Sequence, residues 1–299
     1  GKGGRIPCIE WAPWKKETLQ HWYDQGLPRD RNTSEKIDQY FGLDPVVIRE
    51  ISACSSSFYG LPEYECGRAG DLRSYRGLKQ HHLFPSPAFD TRKIAECLSL
   101  QENGKVVFWV RLDGFFSFPR ILLGEESHLL AFYDQPELLR EIIADLAEFN
   151  MATVRRVSEL GCPALFVVDE DMAYNSGSMI SEKMFRDFLL PAYRKLVPVI
   201  KEAGGCCFVD SDGNIHKLAR WLSEAGADGV LPAERRAGTD IRRLRQENPG
   251  LGIIGGVDKF VLRRGAKAVE QVFEELFPVM RSGRYLPSTD HQVPPDVRL

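Results

Sequence analysis

Residues 206–234 read CCFVDSDGNIHKLARWLSEAGADGVLPAE, and their pattern is the clearest indication of the fold. A short apolar run at 206–209 ends in acidic residues, and a second run follows at 229–231. Between them, residues 215–225 predict an amphipathic helix that Gly226 ends. Runs this short and this apolar are typical of strands buried on both faces. The stretch therefore predicts a strand–helix–strand unit of a parallel sheet.

The same alternation extends through the second half of the chain. Further apolar runs lie at 164–168, 253–254 and 285–286, and further helices are predicted over 137–160, 182–203, 239–248 and 266–280. Prolines 191 and 198 predict a kink or break in the second of these helices. With no glycine-rich phosphate loop present, repeated β/α units favour a closed barrel over a doubly wound sheet. We predict an α/β fold, a (β/α)8 TIM barrel that forms a single domain over residues 1–299.

The first half is less regular. Residues 106–110 predict a strand that ends at Arg111. Residues 50–92 are polar and punctuated by Gly, Pro and Ser, so we expect irregular loops and short strands over the barrel mouth. Residues 1–104 are accordingly predicted to form the opening and the loops that cover the cleft.

Composition excludes several classes of function. A net charge of -3 argues against general binding to nucleic acid or to an anionic membrane. No apolar run approaches the roughly 20 residues of a membrane span. The seven cysteines show no C-x-x-C spacing, and no signal peptide is visible, so we expect a cytoplasmic protein. We expect a small-molecule substrate. The sequence leaves open whether the chain forms a homodimer.

Charged residues follow every late strand. They are Glu170 and Asp171, Asp210 and Asp212, Glu234, Asp258 and Lys259, and Asp290 and His291. One such residue is often only a helix cap or part of a turn, as Asp212 before Gly213 could be. In a parallel barrel, however, the carboxyl ends of all strands meet at one rim, where active groups lie. Five successive charged ends therefore predict a functional site.

Roles are assigned to these groups as follows. The predicted catalytic residues are Asp171, Asp210, Glu234 and His291. The predicted substrate-binding residues are Glu10, Trp11, Arg111, Glu170, Asp258, Lys259 and Asp290. Trp11 belongs to a Trp-rich opening that is either a stacking platform for a flat substrate or packing.

A divalent metal is a further hypothesis. Asp210 and Asp212 are spaced i, i+2 and can face the same way, and His291 follows another strand. Three such ligands with an open position would suit a catalytic ion. The alternative is that Asp212 caps the next helix and Asp210 hydrogen-bonds His291 in a proton relay.

The order of short motifs resembles that of one known family. The motifs are Gly114-Phe115-Phe116, Leu123-Gly124-Glu125-Glu126, Asp134-Gln135-Pro136-Glu137, Asp171 with Gly177-Ser178-Met179-Ile180-Ser181, Phe188-Leu189-Leu190-Pro191, Asp212-Gly213-Asn214, Pro232-Ala233-Glu234, Gly255-Gly256-Val257-Asp258-Lys259 and Asp290-His291. Together they resemble the uroporphyrinogen decarboxylase superfamily, which also contains corrinoid and cobamide methyltransferases. Residues 105–297 carry most of the resemblance, and the opening from Arg5 onward resembles the methyltransferase-like branch. The resemblance implies an eight-stranded barrel with a deep cleft at its carboxyl face.

Two departures from the family pattern bear on function. True uroporphyrinogen decarboxylases have an arginine-rich opening for the substrate's propionates, whereas residues 7–14 here read PCIEWAPW. The thiol-activating methyltransferases bind zinc through a His-x-Cys pair and a later Cys. Here the pair is replaced by Asp210-Ser211-Asp212 and no cysteine follows Cys207, so a thiolate zinc site is not expected.

The preferred interpretation is methyl transfer or demethylation of a small methylated substrate, with a corrinoid protein or tetrahydrofolate as methyl carrier. The alternative is a decarboxylase of a porphyrinogen or a smaller carboxylic acid, in which Asp171 or Asp210 would stabilise a protonated intermediate. A third interpretation is a non-catalytic barrel that binds a ligand. The converging charges count against the third.

One prediction follows from the arginine-free opening. We expect no decarboxylation of uroporphyrinogen at a useful rate, because its carboxylates would lack charge-assisted partners. Product analysis after incubation with uroporphyrinogen checks this, with a dedicated decarboxylase as the positive control. Turnover comparable to that control would contradict the prediction.

Overall fold

Seven parallel strands form the main sheet in the part of the chain that the computed structural model describes, residues 7–59, 61, 69–86 and 88–299. The strands in chain order are β1 (Val46–Ile51), β2 (Val107–Asp113), β3 (Leu165–Asp169), β4 (Ala173–Tyr174), β5 (Gly177–Ser178), β6 (Cys207–Asp210), β7 (Gly229–Leu231), β8 (Gly252–Val257) and β9 (Tyr285–Thr289). Strands β4 and β5 pair with each other as an antiparallel ribbon. The main sheet has the order β1-β2-β3-β6-β7-β8-β9, and every neighbouring pair is parallel.

Helices lie between the strands, as the β/α pattern predicts. They are α1 (Lys16–Asp24), α2 (Ser34–Tyr40), α3 (Ser56–Tyr59), α4 (Leu72–His81), α5 (Thr91–Glu102), α6 (Ser117–Leu123), α7 (Glu125–Asp134), α8 (Pro136–Ser158), α9 (Glu182–Met184), α10 (Leu190–Glu202), α11 (His216–Glu224), α12 (Ile241–Glu247) and α13 (Ala266–Arg281). A π-helical turn, Phe185–Leu189, joins α9 to α10, and a 3-10 helix spans Lys259–Arg264. None of the helices in the described ranges combines the length and the apolar character needed to cross a membrane.

The sheet is buried on both faces, which explains its unbroken apolar runs. One large apolar core lies between the sheet and the helices, and a second cluster fills the concave side of the curled sheet. The inner cluster contains Trp109, Val167, Leu231 and Ile254 from four strands, together with Ile9, Trp11 and Ala12 from the opening segment.

The opening segment, residues 7–13, lies between the two edge strands. The Cys8 carbonyl accepts a hydrogen bond from the Asp44 N–H at 2.7 Å, next to β1. The Trp11 indole N–H donates to the Thr289 carbonyl at 3.0 Å, at the end of β9. The segment is thus held by side-chain contacts and single amides, and not by the repeated backbone hydrogen bonds of a β-strand. Pro7 and Pro13, at its two ends, have no N–H to donate. The described residues therefore hold a curled sheet of seven strands, one fewer than predicted.

The expectation of irregular loops and short strands over residues 50–92 is wrong where the structure has helices, α3 and α4. Helix α4 begins at a capping box in which Asp71 accepts from the Ser74 N–H and Ser74 accepts from the Asp71 N–H. The predicted cover at residues 1–6, 60, 62–68 and 87 lies outside the described residues, as do Arg5 and Ile6 of the resemblance.

Of the two prolines predicted to interrupt residues 182–203, neither ends the helix. Pro191 stands in the first turn of α10, directly after the π-helical turn, and Pro198 lies inside α10. The first turn tolerates a missing N–H, and the π turn re-spaces the hydrogen bonds before Pro191. The chain thus stays helical from α9 to α10.

A close contact between neighbouring strands predicts one sensitive position. A Cβ added at Gly229 would lie 2.2 Å from Cε1 of the Phe208 ring, because that ring packs over the glycine. We expect Gly229→Ala to lower the free energy of unfolding by about 2 kcal/mol, and Phe208→Leu in the same chain to restore part of the loss. Urea denaturation measures both.

The control for this prediction is Gly250→Ala, because a Cβ there would meet no atom within 4 Å. Its free energy of unfolding should stay within about 0.5 kcal/mol of the parent. If Gly229→Ala is as stable as the control, the close packing of Phe208 is disproved.

Candidate active site

A cavity of about 710 Å³ opens at the carboxyl ends of the strands. Its lining residues are Trp11, Ala12, Pro13, Ile48, Arg49, Glu50, Arg111, Asp169, Asp171, Asp210, Asp212, His291 and Gln292. The structure thus brings Trp11, Arg111, Asp171, Asp210, Asp212 and His291, all predicted from sequence, to one place.

Arg111 lies at the centre of the ionic contacts in this cavity. Its Nη2 is 2.9 Å from Oδ2 of Asp210, and its Nη1 is 3.6 Å from Oδ2 of Asp169 and 3.8 Å from Oε1 of Glu50. The guanidinium comes from β2, whereas the three carboxylates come from β6, β3 and β1. A single cation therefore connects four strand ends.

Burial raises the pKa of Asp210 to about 8. This value already includes the charges of Asp169, Asp212 and Asp171, which also raise the pKa, and the charge of Arg111, which lowers it. Burial also raises the pKa of Asp169 and of Asp212. At neutral pH the Asp210 carboxyl therefore holds a proton that it can give to a bound molecule.

His291 faces Asp212 rather than Asp210. Its Nδ1 accepts the Gln292 N–H at 2.9 Å, so in the neutral ring the proton lies on Nε2. That Nε2 is 3.8 Å from Oδ2 of Asp212, an ion-pair distance once the imidazole is protonated. The predicted hydrogen bond between Asp210 and His291 is therefore wrong, because Asp210 pairs with Arg111 instead.

Asp171 is held in one orientation. Its Oδ2 is 3.0 Å from Nη2 of Arg120, and its carbonyl accepts from Nη1 of the same guanidinium at 3.0 Å. Its φ of 43° lies in the left-handed region, where a residue other than glycine stays only if its surroundings fix it.

The donor set does not fit the metal hypothesis. Among the residues that the structure describes, no group of three or more His, Cys, Asp or Glu side chains could hold an ion. Asp210 is engaged by Arg111, so it does not join Asp212 and His291 as a ligand trio. Asp212 does not cap α11 either, since the residue at that cap is Ile215 and no side chain caps it.

Glu234 lies behind the cavity and does not line it. Its Oε2 accepts the Gly213 N–H at 3.1 Å, next to Asp212. It therefore positions the turn that carries Asp212, and its predicted catalytic contact with a ligand is not supported by this placement.

The placement of Glu170 contradicts its prediction as a substrate-binding residue. The side chain is fully buried on the helix side of the sheet, where it accepts the N–H groups of Phe115 at 2.9 Å and Phe116 at 2.6 Å. The Tyr193 hydroxyl donates to it at 2.6 Å. Asp169, at the end of β3, and Asp171 line the cavity, whereas Glu170 between them faces away from it.

Three further residues that were predicted to bind substrate instead accept hydrogen bonds from backbone N–H groups. The Glu10 carboxylate accepts from the Ala12 N–H and from the Thr289 N–H and hydroxyl, and burial raises its pKa to about 7. Asp258 accepts the Phe260 N–H at 2.9 Å. The buried Asp290 accepts the Lys259 N–H and the Arg235 N–H, each at 3.1 Å. None of these three, nor Lys259, lines the cavity.

Sequence reasoning missed four polar lining residues. Asp169 was overlooked, although alternation from Val167 in the same strand gives a signal for it. Arg49 and Glu50 lie on β1, which was not predicted, and Gln292 follows His291 in a loop.

Comparison with known proteins agrees with this architecture. Residues 93–299 match the family model described as uroporphyrinogen decarboxylase (URO-D). The match covers more than half of the chain, so the chain belongs to the uroporphyrinogen decarboxylase family. No curated protein gives a significant sequence match.

Solved structures show the same fold. A methyltransferase from Methanosarcina mazei superposes with a TM-score of 0.64 and 14% identity, covering 98% of this chain and 90% of that chain. The Bacillus subtilis mannanase BCman superposes with a TM-score of 0.50 and 12% identity, covering 90% of this chain and 78% of that chain. At these identities the likeness concerns the fold alone.

The raised Asp210 pKa predicts a pH-dependent stability. Folding raises this pKa to about 8, so the folded chain keeps a proton that the unfolded chain releases, and stability falls as the pH rises from about 4 to 8. We expect Asp210→Asn to remove this loss and to retain a few kcal/mol more than the parent at pH 9, relative to pH 5.

Urea denaturation at both pH values measures the effect. The matched control is Glu270→Gln, which neutralises an exposed carboxylate on α13 and should follow the parent. An unchanged pH dependence in Asp210→Asn would show that Asp210 is ionised at neutral pH.

Proposed function

We propose that this chain catalyses methyl transfer or demethylation of a small methylated substrate, with a corrinoid protein or tetrahydrofolate as methyl carrier. The observation that carries the proposal is the buried Asp210 carboxyl in the cavity, whose pKa of about 8 keeps a proton available at neutral pH. As the methyl group leaves, its former heteroatom gains electron density. Protonation of that heteroatom by Asp210 makes it a better leaving group.

The charges around the cavity support this choice over a porphyrinogen decarboxylase. Five carboxyl groups line the cavity, Glu50, Asp169, Asp171, Asp212 and the protonated Asp210, against two arginines and His291. The guanidinium of Arg111 is already surrounded by three of these carboxyl groups. A substrate with several carboxylates would meet repulsion, whereas a polar or cationic substrate would meet acceptors.

Within this proposal each contact has a role. Asp210 gives its proton to the leaving heteroatom, and Arg111, 2.9 Å away, stabilises the carboxylate that remains. Asp212 and His291 line the same cavity and provide a second acid–base pair that can return a proton from solvent. The methyl group itself passes to the carrier.

A decarboxylase of a small monocarboxylic acid is the second candidate. The observation that favours it is Arg49, a lining cation for which a substrate carboxylate is a suitable partner. The Asp210 proton would then pass to the carbanion that remains when CO2 leaves.

The fold neighbour from Methanosarcina mazei is a methyltransferase by name, which makes methyl transfer the first candidate to test.

The test uses the purified chain with a methylated amine, a methoxyarene and a methyl thioether as donors. Reduced cobalamin and tetrahydrofolate serve as acceptors, and mass spectrometry detects the methylated acceptor and the demethylated donor. We expect transfer with at least one pair, and Asp210→Asn should slow it by about 100-fold or more.

Glu270→Gln is the control and should leave the rate unchanged. Release of CO2 from a monocarboxylic acid without methyl transfer to either acceptor would replace the first candidate with the second. Transfer at equal rates in Asp210→Asn and the parent would remove Asp210 from the mechanism.

A further inference from the structure

Three cations surround a single aromatic ring outside the acidic cavity. Phe260 lies in the 3-10 helix that follows β8, and its ring centroid is 4.3 Å from Cζ of Arg263 and 4.5 Å from Cζ of Arg236. Nζ of Lys259 is 5.6 Å from the same centroid. We call this group, with Arg235 and Arg264, the Phe260 cluster.

A separate cavity of about 410 Å³ adjoins the ring. Arg235, Arg236 and Arg264 line it, with Asp258 as its single acidic lining residue. It lies on the loops after β7 and β8, so it shares the carboxyl rim with the acidic cavity but none of its lining residues.

Nearby surface carboxylates balance only part of the cluster's charge. Asp296 is 2.7 Å from Arg263, and Asp258 is 3.7 Å from Arg236. Glu275 is shared, at 3.1 Å from Arg235 and at 3.5 Å from Arg242 on α12. Five cations thus face three surface carboxylates, in a chain whose net charge is -3.

The buried Asp290 fixes the two halves of the cluster relative to each other. Its Oδ2 accepts the Arg235 N–H, and its Oδ1 accepts the Lys259 N–H, both at 3.1 Å. The loops after β7 and β8 are therefore tied at their backbones, and their cations converge without having to be ordered by a ligand.

We propose that the cavity of the Phe260 cluster binds an anionic small molecule that carries phosphate or several carboxylate groups. An arginine stacked on a ring keeps the N–H groups at its edge free for a bidentate contact with such an anion. One arginine stem would suffice to cover a half-buried phenylalanine. Here two stacked arginines and a lysine surround one ring, and three arginines, one of them stacked on the ring, line the cavity, so together they form a concentrated positive potential.

The position of Lys259 links this site to the acidic cavity. Its N–H donates to Asp290 at 3.1 Å, and Asp290 directly precedes His291, which lines that cavity, so the two sites adjoin at the rim. An anionic part of a substrate or carrier can bind at the Phe260 cluster while its reacting part lies among the carboxylates. Binding of the anion can be measured without methyl donor or acceptor, so it is tested apart from the proposed function.

Calorimetric titration with inorganic tripolyphosphate and with citrate, at fixed ionic strength, tests the proposal. We expect at least one of the two probes to bind, and the double variant Arg236→Gln/Arg263→Gln to weaken that binding at least tenfold. The control is Arg155→Gln/Arg194→Gln, which removes the same charge from exposed positions on α8 and α10 and should change binding less than twofold.

A second variant, Arg236→Lys/Arg263→Lys, keeps the charge and removes both guanidinium forks. A loss of at least threefold in this variant, with circular dichroism unchanged, supports bidentate recognition at this site, because the charge is kept. Absence of binding to the parent chain by both probes overturns the proposal. Equal losses in the cluster variant and in the control also overturn it, because they would indicate only a general charge effect.

Discussion

The arrangement of the cavity depends on the ionic contacts of the Arg111 guanidinium. The sheet register pairs Asp169 of β3 directly with Asp210 of β6, so two carboxylates stand side by side at the carboxyl end. The charge of Asp169 disfavours ionisation of the buried Asp210, which is one cause of the raised Asp210 pKa. Arg111 lies within 4 Å of both and of Glu50. Without this cation the three carboxyl groups would lose the donor that they share, so their arrangement depends on Arg111.

The fold could be predicted where strands are buried on both faces. The apolar runs at 164–168 and 206–209, with the helix patterns between them, gave the parallel β/α order that the structure confirms. Strand β1 was missed because it reads VVIREI, and its Arg49 and Glu50 make its end polar. These two residues are polar because they line the cavity. A hydrophobicity pattern alone does not distinguish such a strand end from a loop. The eighth strand was inferred from family order, whereas prolines 7 and 13 limit the amides available for a ladder.

The location of the site could be predicted from the sequence, but the roles of its individual residues could not. Charge at strand ends located Asp171, Asp210 and His291 at the cavity, because parallel strands deliver their carboxyl ends to one rim. Charge after a strand does not distinguish Asp169, which lines the cavity, from Glu170, which faces away from it. The roles of other carboxylates depend on tertiary contacts. Glu10 meets Thr289 across 279 residues of sequence, and spacing along the chain carries no signal for such a pair.

The carboxyl rim of the sheet carries an acidic region beside a basic region. Carboxylates dominate the cavity of Arg111, and arginines dominate the neighbouring cavity of the Phe260 cluster. The two fields are not independent, since Lys259 acts on Asp212 at the boundary between them. A ligand with one anionic end and one polar or cationic end therefore has a single favourable orientation, with its reacting end toward Asp210. A substrate with carboxylates on every side has none, because any orientation places some of them among the acids. This asymmetry, more than any single residue, separates the proposed methyl-transfer chemistry from the decarboxylation of a porphyrinogen on the same barrel scaffold.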